Sequence, residues 1–316
     1  MTGWTFRAQN VNKSYDGGKT LANRDVSITI EPGEVYGLLG PNGAGKSTFV
    51  KQIIGMLAPD TGTITLGDYD LVADPDAARQ LCSYLPQAPM PIDSFKTTEA
   101  IRLTGAIRGG DPPAIAARAE SMIEALQIGE WRQILGAKLS GGVKRLVGFV
   151  MVTVVPGRVV ILDEPTNDVD PLRRRLLWRE VRRLGELGAA VFLVTHNVLE
   201  AEKAVDRLGI ITDGRLIAEG TPSSLKVADR GQLRLQLMLV PGTSTPELPE
   251  MVDQPTRVGN NLVGVIPEEK APDAIAWAQA QMALGIAEEY ALGATTLEDV
   301  YIRLTGHTSA ETEVVA

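Results

Sequence analysis

The chain has 316 residues, of which 44% are hydrophobic and 22% are charged, which is enough for one large domain and a smaller second one. Its formal charge of −8 and its pI near 5.0 argue against a non-specific nucleic-acid-binding protein, because phosphate backbones select basic surfaces, so we expect no nucleic-acid partner. The single cysteine, Cys82, excludes an intramolecular disulfide, and the N-terminus lacks a basic-then-apolar secretion signal, so a reducing cytoplasm is the expected setting.

The first segment, from Phe6 to Leu71, predicts antiparallel strands. It consists of short alternating stretches broken by Gly, Pro and Asp, such as Val26–Ile30 and Gly62–Leu66. Inside it, the run Val35–Leu39 predicts a buried strand, and Thr48–Ile54 predicts a helix with one apolar face.

The loop between that strand and that helix fits the pattern G-x-x-x-x-G-K-[ST], with the residues Gly40, Pro41, Asn42, Gly43, Ala44, Gly45, Lys46, Ser47 and Thr48. Glycines let backbone N–H groups turn around phosphate oxygens, and the following helix adds its positive N-terminal end. Lys46 supplies a charge for the β- and γ-phosphates, and the Ser47 hydroxyl is suited to ligate Mg²⁺. The loop predicts that the protein binds ATP or GTP.

A helical region and then an α/β core are predicted next. After a Pro-rich break at Gln87–Pro91, residues from about 97 to 155 are helical in pattern. Strand-like runs then alternate with helices expected at about 171–187 and 197–205, which indicates a mostly parallel sheet; these runs are Val159–Leu162, Ala190–Val194 and Leu208–Ile211. The longest apolar-leaning run, Leu146–Val155, is about half the roughly 20 residues that span a bilayer, so a separate polypeptide would have to supply any membrane spans.

The sequence divides into a first domain over 1–225, which contains the helical subdomain, and a second part. A strand-like run at Leu233–Val240, followed by a Pro/Thr-rich loop at 241–256, predicts a small α+β domain over 226–306. Residues 307–316 are expected to form a disordered tail.

Further motifs stand in order around the glycine-rich loop. They are Tyr15, Gln87, Leu139-Ser140-Gly141-Gly142, Val160-Ile161-Leu162-Asp163-Glu164-Pro165-Thr166, Asp170 and His196. From about residue 4 to residue 220 this set resembles the ATP-binding cassette (ABC) ATPases. The resemblance implies an α/β fold: a P-loop NTPase core of ABC type with an antiparallel β subdomain, a helical insert and the small C-terminal α+β domain.

The resemblance also implies roles for these residues. Glu164, His196 and Lys46 would be catalytic, and Mg²⁺ would be held by Ser47, Gln87 and Asp163. ATP would contact Tyr15, Gly40, Asn42, Gly43, Ala44, Gly45, Lys46, Ser47, Thr48, Gln87, Ser140, Gly142, Asp170 and His196. In the family, Ser140 and Gly142 would serve the ATP of the opposite subunit, so catalysis would need a dimer.

Two positions depart from the family pattern. Val143 follows Gly142 where Gln is common, and Asn167-Asp168-Val169 replaces a small–small–apolar run before Asp170. We expect these changes to alter ribose contacts or subunit coupling and to leave activity in place. A homodimer with two complete sites is the simpler expectation, and a heterodimer with a related cassette is the alternative.

The remaining sequence favours a transporter ATPase subunit. Long coiled-coil insertions are absent, and the segment Thr295–Gly306 resembles the ending of drug- and lipid-exporter ATPases of the daunorubicin-resistance type. The resemblance implies export of an amphiphilic drug, lipid or polymer through a separate transmembrane permease, whose coupling helix would dock near Gln87–Thr104. The chain would then be cytoplasmic and peripheral on the inner face of the membrane. An importer ATPase or a soluble ATP-driven switch are the alternatives.

Overall fold

The computed structural model describes residues 4–226 and 231–305, except for the side chains of Glu200 and Gln254. The contacts divide the chain into two compact units at the junction between Thr221 and Pro222. The predicted tail over 307–316, and Gly306 before it, lie outside the described residues.

An antiparallel sheet forms the first layer of unit 1, as the alternating pattern predicts. Its order is β2-β1-β4-β5, with β1 at Phe6–Tyr15, β2 at Thr20–Ile30, β4 at Thr61–Leu66 and β5 at Tyr69–Asp70. Phe6, Ile28 and Ile64 alternate with more exposed residues and are at most 1% exposed themselves. They belong to the same hydrophobic core as the helix that follows the glycine-rich loop and as the second, six-stranded sheet. The antiparallel sheet is therefore packed against that second sheet.

The second sheet carries the chemistry-bearing loops and has the order β10-β9-β3-β8-β7-β6. Five of its strands are parallel, and only β10 runs against its neighbour β9. The strands are β3 (Val35–Leu39), β6 (Cys82–Leu85), β7 (Val159–Asp163), β8 (Ala190–Thr195), β9 (Arg207–Thr212) and β10 (Arg215–Gly220). Every residue of β3, β7 and β8 is buried, which matches their predominantly apolar sequences.

Helices surround this sheet, and those between residues 97 and 155 form the predicted helical region. They are α1 (Lys46–Ile53), α2 (Pro75–Leu81), α3 (Thr97–Ile107), α4 (Pro112–Ala125), α5 (Gly141–Thr153), α6 (Pro171–Glu186) and α7 (Val198–Ala204). Helix α5 is buried along nearly its whole length, whereas α4 and α6 show one apolar face each. The mixed α/β fold expected from the sequence is confirmed, with its antiparallel layer, its parallel core and its helical insert.

Unit 2 has its own sheet and core. The sheet order is β12-β13-β11-β14, with β11 at Gln232–Leu239, β12 at Asp253–Val258, β13 at Asn261–Pro267 and β14 at Ala287–Ala294. The α-helices among the described residues of the unit are α8 (Pro222–Leu225), α9 (Ala271–Ala283) and α10 (Leu297–Thr305). Leu235, Leu237 and Leu239 of β11 pack with Ala274 and Ala278 of α9.

Within residues 4–226 and 231–305, no helix combines the length and the apolarity that crossing a membrane requires.

Candidate nucleotide site

The predicted site residues meet at one edge of the six-stranded sheet. The neighbours β3, β8, β7 and β6 are parallel, so their carboxyl ends lie side by side. The glycine-rich loop follows β3, His196 follows β8, Glu164 follows β7 and Gln87 follows β6. The topology therefore gathers four segments that are far apart in the sequence.

A cavity of about 310 Å³ opens at this edge. The predicted residues on its wall are Tyr15, Asn42, Gly43, Ala44, Gly45, Lys46, Ser47, Thr48, Gln87, Asp163 and Glu164. Thr20, Leu21 and Ala22 also line it and were missed by sequence reasoning. The available signal was their position on β2, which pairs with the end of β1 that carries Tyr15, since Tyr15 lies opposite Thr20.

The glycines of the loop are required by backbone geometry and by close approach. Gly43 and Gly45 have φ angles of 81° and 99°, in the region that favours glycine. A Cβ at Gly45 would lie 2.0 Å from the carbonyl oxygen of Ala22, and one at Gly40 would lie 2.3 Å from that of Ile211. The loop can therefore present its N–H groups only because these positions lack side chains.

Lys46 is the first residue of α1 and is 9% exposed. Its Nζ donates hydrogen bonds to the carbonyl oxygens of Gly40 at 2.6 Å and Pro41 at 3.0 Å. Burial lowers the pKa of Lys46, and the nearby carboxylates of Glu164 and Asp163 oppose that change. The ammonium group is thus held at the floor of the loop by backbone contacts.

Asp163 ends strand β7 and is 4% exposed. Burial raises its pKa, as does the negative charge of the adjacent Glu164, and the hydroxyl of Tyr84 donates to its Oδ2 at 3.3 Å. A buried carboxylate with a raised pKa is one whose charge is incompletely compensated by the protein. A cation near Asp163 would supply the missing compensation.

Glu164 is held by the segment that ends β8. Its Oε1 accepts a hydrogen bond from the backbone N–H of His196 at 2.8 Å and lies 2.7 Å from the His196 Nδ1, and its Oε2 accepts from the Thr195 hydroxyl at 2.9 Å. Glu164 has a φ angle of 49°, which is uncommon for a residue with a side chain. Three contacts to one carboxylate keep it at the cavity wall.

Two predicted ATP contacts do not line the cavity but are hydrogen-bonded to residues that do. Gly40 and His196 do not line the cavity themselves. Gly40 holds the Lys46 ammonium through its carbonyl oxygen, and His196 holds the Glu164 carboxylate. Each is therefore connected to the cavity through one residue of its wall.

Ser140 and Gly142 do not line the cavity of their own chain. Ser140 is the N-cap of α5, and its Oγ accepts a long hydrogen bond from the Val143 N–H at 3.4 Å. A Cβ at Gly142 would lie 2.2 Å from the carbonyl oxygen of Asp168. The start of α5 thus packs directly on the segment after Glu164.

Asp170 also lies off the cavity wall, and it has a structural task that the sequence did not predict. It is the N-cap of α6, where its Oδ1 accepts from the N–H groups of Leu172 at 3.1 Å and Arg173 at 3.0 Å. These hydrogen bonds, together with the Arg173 side chain, lower the pKa of Asp170. The cap fixes where α6 begins after the loop that follows Glu164.

Arg145 and Tyr84 were also missed. Arg145 of α5 is 6% exposed, and its guanidinium donates to the carbonyl oxygens of Pro86, Gln87, Asp163 and Glu164. Tyr84 contacts Asp163 as described above. The available signal for Arg145 was an arginine three positions after the Gly-Gly pair, followed directly by the apolar run that starts at Leu146.

Comparison with known proteins agrees with this geometry. The family model described as ABC transporter matches residues 23–167. The Nod factor export ATP-binding protein I of Burkholderia lata is 33% identical over 94% of this chain and 96% of its own length. The daunorubicin/doxorubicin resistance ATP-binding protein of Streptomyces peucetius is 31% identical over 93% of this chain and 90% of its own length.

A solved ATP-binding subunit of an ABC transporter superimposes with a TM-score of 0.66 and 28% identity, and the match covers 70% of this chain and 91% of that one. The relatives match along almost the whole chain, and the solved subunit shares the fold that builds the cavity. The chain therefore belongs to the ATP-binding cassette transporter ATPases of exporter type, enzymes that couple ATP hydrolysis to transport.

Proposed function

We propose that this chain acts as a homodimer that binds two ATP molecules and powers export through a separate transmembrane permease. The observation that carries the proposal is the shared cavity wall, where Lys46, Asp163 and Glu164 meet. A cation from the loop after β3 and two carboxylates from the end of β7 are the groups that phosphoryl transfer to water requires.

Within one chain, the loop over residues 40–48 holds the phosphates of ATP. Its N–H groups would donate hydrogen bonds to the phosphate oxygens, and the positive N-terminal end of α1 would face their negative charge. Lys46 would exchange its hydrogen bonds to Gly40 and Pro41 for hydrogen bonds to phosphate oxygens. Tyr15 stacks on the adenine, a role supported by its place on the cavity wall. The hydroxyl of Tyr15 lies 3.5 Å from that of Thr48, which ties the aromatic ring to the loop.

Ser47, Gln87 and Asp163 fit Mg²⁺. They share one wall and offer a hydroxyl, an amide and a carboxylate oxygen, the hard ligands that this ion prefers. The raised pKa of Asp163 supports a cation at that position. When bound, Mg²⁺ supplies charge neutralisation for the β- and γ-phosphates.

Glu164 is the general base that polarises the attacking water. Its carboxylate lines the cavity, and its contacts with Thr195 and His196 fix its direction. His196 orients Glu164 through the 2.7 Å contact between its Nδ1 and Oε1, and it would reach the γ-phosphate only if its ring turned toward the cavity.

The second chain completes each site. Ser140 and Gly142 stand at the start of α5, outside the cavity of their own chain, and a helix N-terminus with a hydroxyl is suited to a phosphate. The γ-phosphate of the partner's ATP is the ligand that we assign to this position, and Asp170 would contribute to the ATP site from the same side of the chain. A two-fold dimer would then hold two equivalent sites, each with one glycine-rich loop and one α5 N-terminus.

The permease places this chain at the cytoplasmic face of a membrane and carries the substrate. One relative is named for the export of Nod factor and another for resistance to daunorubicin and doxorubicin. For this chain we propose an amphiphilic drug, lipid or polymer as the exported substrate. The permease's coupling helix would dock near Gln87–Thr104, so that closure of the dimer is passed on by rigid-body movement.

An affinity purification from native membranes tests this function. Glu164→Gln retains ATP and holds the dimer closed, and Lys46→Ala, which weakens phosphate binding, is the matched control. We expect a multi-span protein in stoichiometric amount with Glu164→Gln and ATP, identified by mass spectrometry. Recovery of soluble partners alone, with hydrolysis intact in the wild-type chain, would reject the permease and favour a soluble switch.

A further inference from the structure

Arg145 is a buried cation whose hydrogen-bond partners are backbone groups. It lies in the second turn of α5, the helix that starts at the Ser140 cap, and is 6% exposed. Among the residues that the structure describes, it forms no ion pair with a carboxylate. Burying a guanidinium is costly unless its donors are satisfied. Nε has no hydrogen-bond partner among the described residues, but Nη1 and Nη2 make four carbonyl contacts in one place, which indicates a specific use.

The four carbonyls belong to two separate segments. Nη1 donates to Pro86 and to Gln87, the latter at 3.1 Å, and Nη2 donates to Asp163 and to Glu164, the latter at 2.6 Å. One segment follows the edge strand β6, and the other ends β7. Arg145 therefore joins three parts of the site: the helix that carries the Ser140 cap, the Gln87 loop and the Asp163–Glu164 turn.

The contact between Arg145 and Glu164 is made to the backbone carbonyl oxygen of Glu164. Glu164 has a φ of 49°, so its peptide groups point in directions that ordinary extended or helical backbone does not give. The Glu164 side chain is fixed by Thr195 and His196, and its carbonyl is fixed by Arg145. With both ends restrained, the direction of the carboxylate depends on where α5 lies.

We propose that Arg145 is a positioning residue for ATP hydrolysis, which sets the backbone of Gln87 and Glu164 relative to α5. The inference rests on the proposed roles of Gln87 and Glu164. Arg145 touches neither ATP nor the attacking water and acts through the carbonyls that it holds. A planar guanidinium can donate hydrogen bonds to two acceptors on each of two segments. An ammonium group carries its three donors on one nitrogen and cannot reach both segments in the same way.

The test compares Arg145→Lys with Arg108→Lys in the full-length chain. Arg108 is a matched control because it also donates to three backbone carbonyls, those of Val155, Cys82 and Gln80, and none of the three lies on the cavity wall. We expect Arg145→Lys to lower kcat by about 10- to 100-fold, the size of effect that a small misplacement of catalytic groups produces, with KM for ATP within about threefold. Arg108→Lys should leave kcat within about twofold of the wild-type value, because its carbonyl partners do not belong to the site.

A double-mutant cycle separates positioning from general support. If Arg145 acts through the Gln87 loop, Arg145→Lys and Gln87→Ala will lower kcat by less together than the product of their separate effects. Multiplicative effects, equal losses in Arg145→Lys and Arg108→Lys, or wild-type kcat in Arg145→Lys would each overturn the proposal.

A second variant covers the case in which Arg145→Lys fails to fold. Pro86→Gly loosens the backbone of one segment while Arg145 stays in place, and it should lower kcat with little change in KM; unchanged kcat would overturn the proposal. Wild-type and Glu164→Gln chains are assayed alongside. Absence of hydrolysis in the wild type would reject the proposed function, whereas normal hydrolysis in both the wild type and Arg145→Lys rejects only the role of Arg145.

Discussion

His196 Nδ1 lies 2.7 Å from Oε1 of Glu164, and the same oxygen accepts a hydrogen bond from the His196 backbone N–H at 2.8 Å. The ring and the carboxylate are thus joined at both the side chain and the backbone. Glu164 is 4% exposed, so the contact is shielded from solvent on the carboxylate side. Two residues held in this way should act as one unit in hydrolysis.

The first prediction follows from this unit. Glu164→Gln and His196→Ala should each lower kcat by about 100-fold or more, because general-base assistance contributes on that scale. The double variant should be little slower than the worse single variant, since residues that act together give non-additive losses. Steady-state kinetics with MgATP measures this, and binding of a fluorescent ATP analogue to Glu164→Gln is the control. Losses that multiply would show that the two residues act independently.

The second prediction concerns Asp168. Its Oδ2 lies 3.3 Å from the position that a Cβ on Gly141 would occupy, so a carboxylate stands beside the N-terminus of α5. A negative charge there competes with a phosphate for the same helix end, an effect of about 0.3–1 kcal/mol. Asp168→Ala in the Glu164→Gln background should therefore tighten ATP-dependent dimerisation by about two- to fivefold, measured by analytical ultracentrifugation.

Salt provides the check on that explanation. The difference in dimerisation between the Asp168→Ala chain and the chain that retains Asp168 should shrink as ionic strength rises, because exposed charges are screened. Asp168→Asn, which keeps the shape and removes the charge, should resemble Asp168→Ala. Weaker dimerisation in both variants would mean that Asp168 supports the dimer.

The third prediction concerns stability. Gln52 of α1 is 1% exposed, and neither Oε1 nor Nε2 has a hydrogen-bond partner among the described residues. An unsatisfied buried amide costs roughly 1–3 kcal/mol, and methionine has a similar volume with no such requirement. Gln52→Met should raise the free energy of unfolding by about 1 kcal/mol in urea denaturation. Lys51→Met, at the exposed neighbouring position, is the control and should change little. A lower free energy of unfolding in Gln52→Met would show that the amide is needed where it lies.

The sequence was sufficient for the parts of the site that local chemistry dictates. A glycine-rich loop between an apolar strand and a helix, and paired acids at the end of an apolar strand, have few other uses, so Lys46, Asp163 and Glu164 were found directly. The order of the parallel strands then brought Gln87 and His196 to the same edge.

What the sequence could not supply is contact between distant segments. The carbonyls that Arg145 holds are backbone atoms and leave no trace in residue types, and the contact of Tyr84 with Asp163 depends on β6 lying beside β7. The strands β12, β13 and β14 were not predicted individually. Their short, mixed sequences resemble loops until they pair in the sheet that contains β11.

The fourth prediction is a pH dependence. Burial raises the pKa of the Cys82 thiol to about 12, and the side chain is 4% exposed. Because thiolate is the reactive form, alkylation of the folded chain should be slow at about pH 8 and should accelerate about tenfold per pH unit up to the limit of stability. Iodoacetamide labelling followed by intact mass measures the rate.

Unfolded chain is the control for that rate. Its thiol has an ordinary pKa near 8.5, so it should react rapidly at about pH 8. A folded-state rate as fast as that of the unfolded chain at about pH 8 would contradict the burial and the raised pKa of Cys82.

The fifth prediction concerns unit 2. Among the described residues, those that line the nucleotide cavity all lie between Tyr15 and Glu164, so deletion of the residues after 225 should leave ATP binding within about twofold. Unit 2 exposes Met238 and Val258 at 38% and 45%, apolar surface that a dimer can bury. The truncated Glu164→Gln chain should dimerise more weakly with ATP, by light scattering after gel filtration. Normal dimerisation of the truncated chain would show that unit 2 does not contribute to the dimer interface.

The left-handed backbone at Glu164 has a cost in stability. A side chain at a φ of 49° is strained by on the order of 1 kcal/mol, and glycine would be relieved of it. A duplicated copy of this chain that no longer had to hydrolyse ATP would lose this strain with glycine at position 164, together with the contacts of the carboxylate with Thr195 and His196. Under the role that we propose for Glu164, selection for turnover and relief of backbone strain thus act in opposite directions at this position.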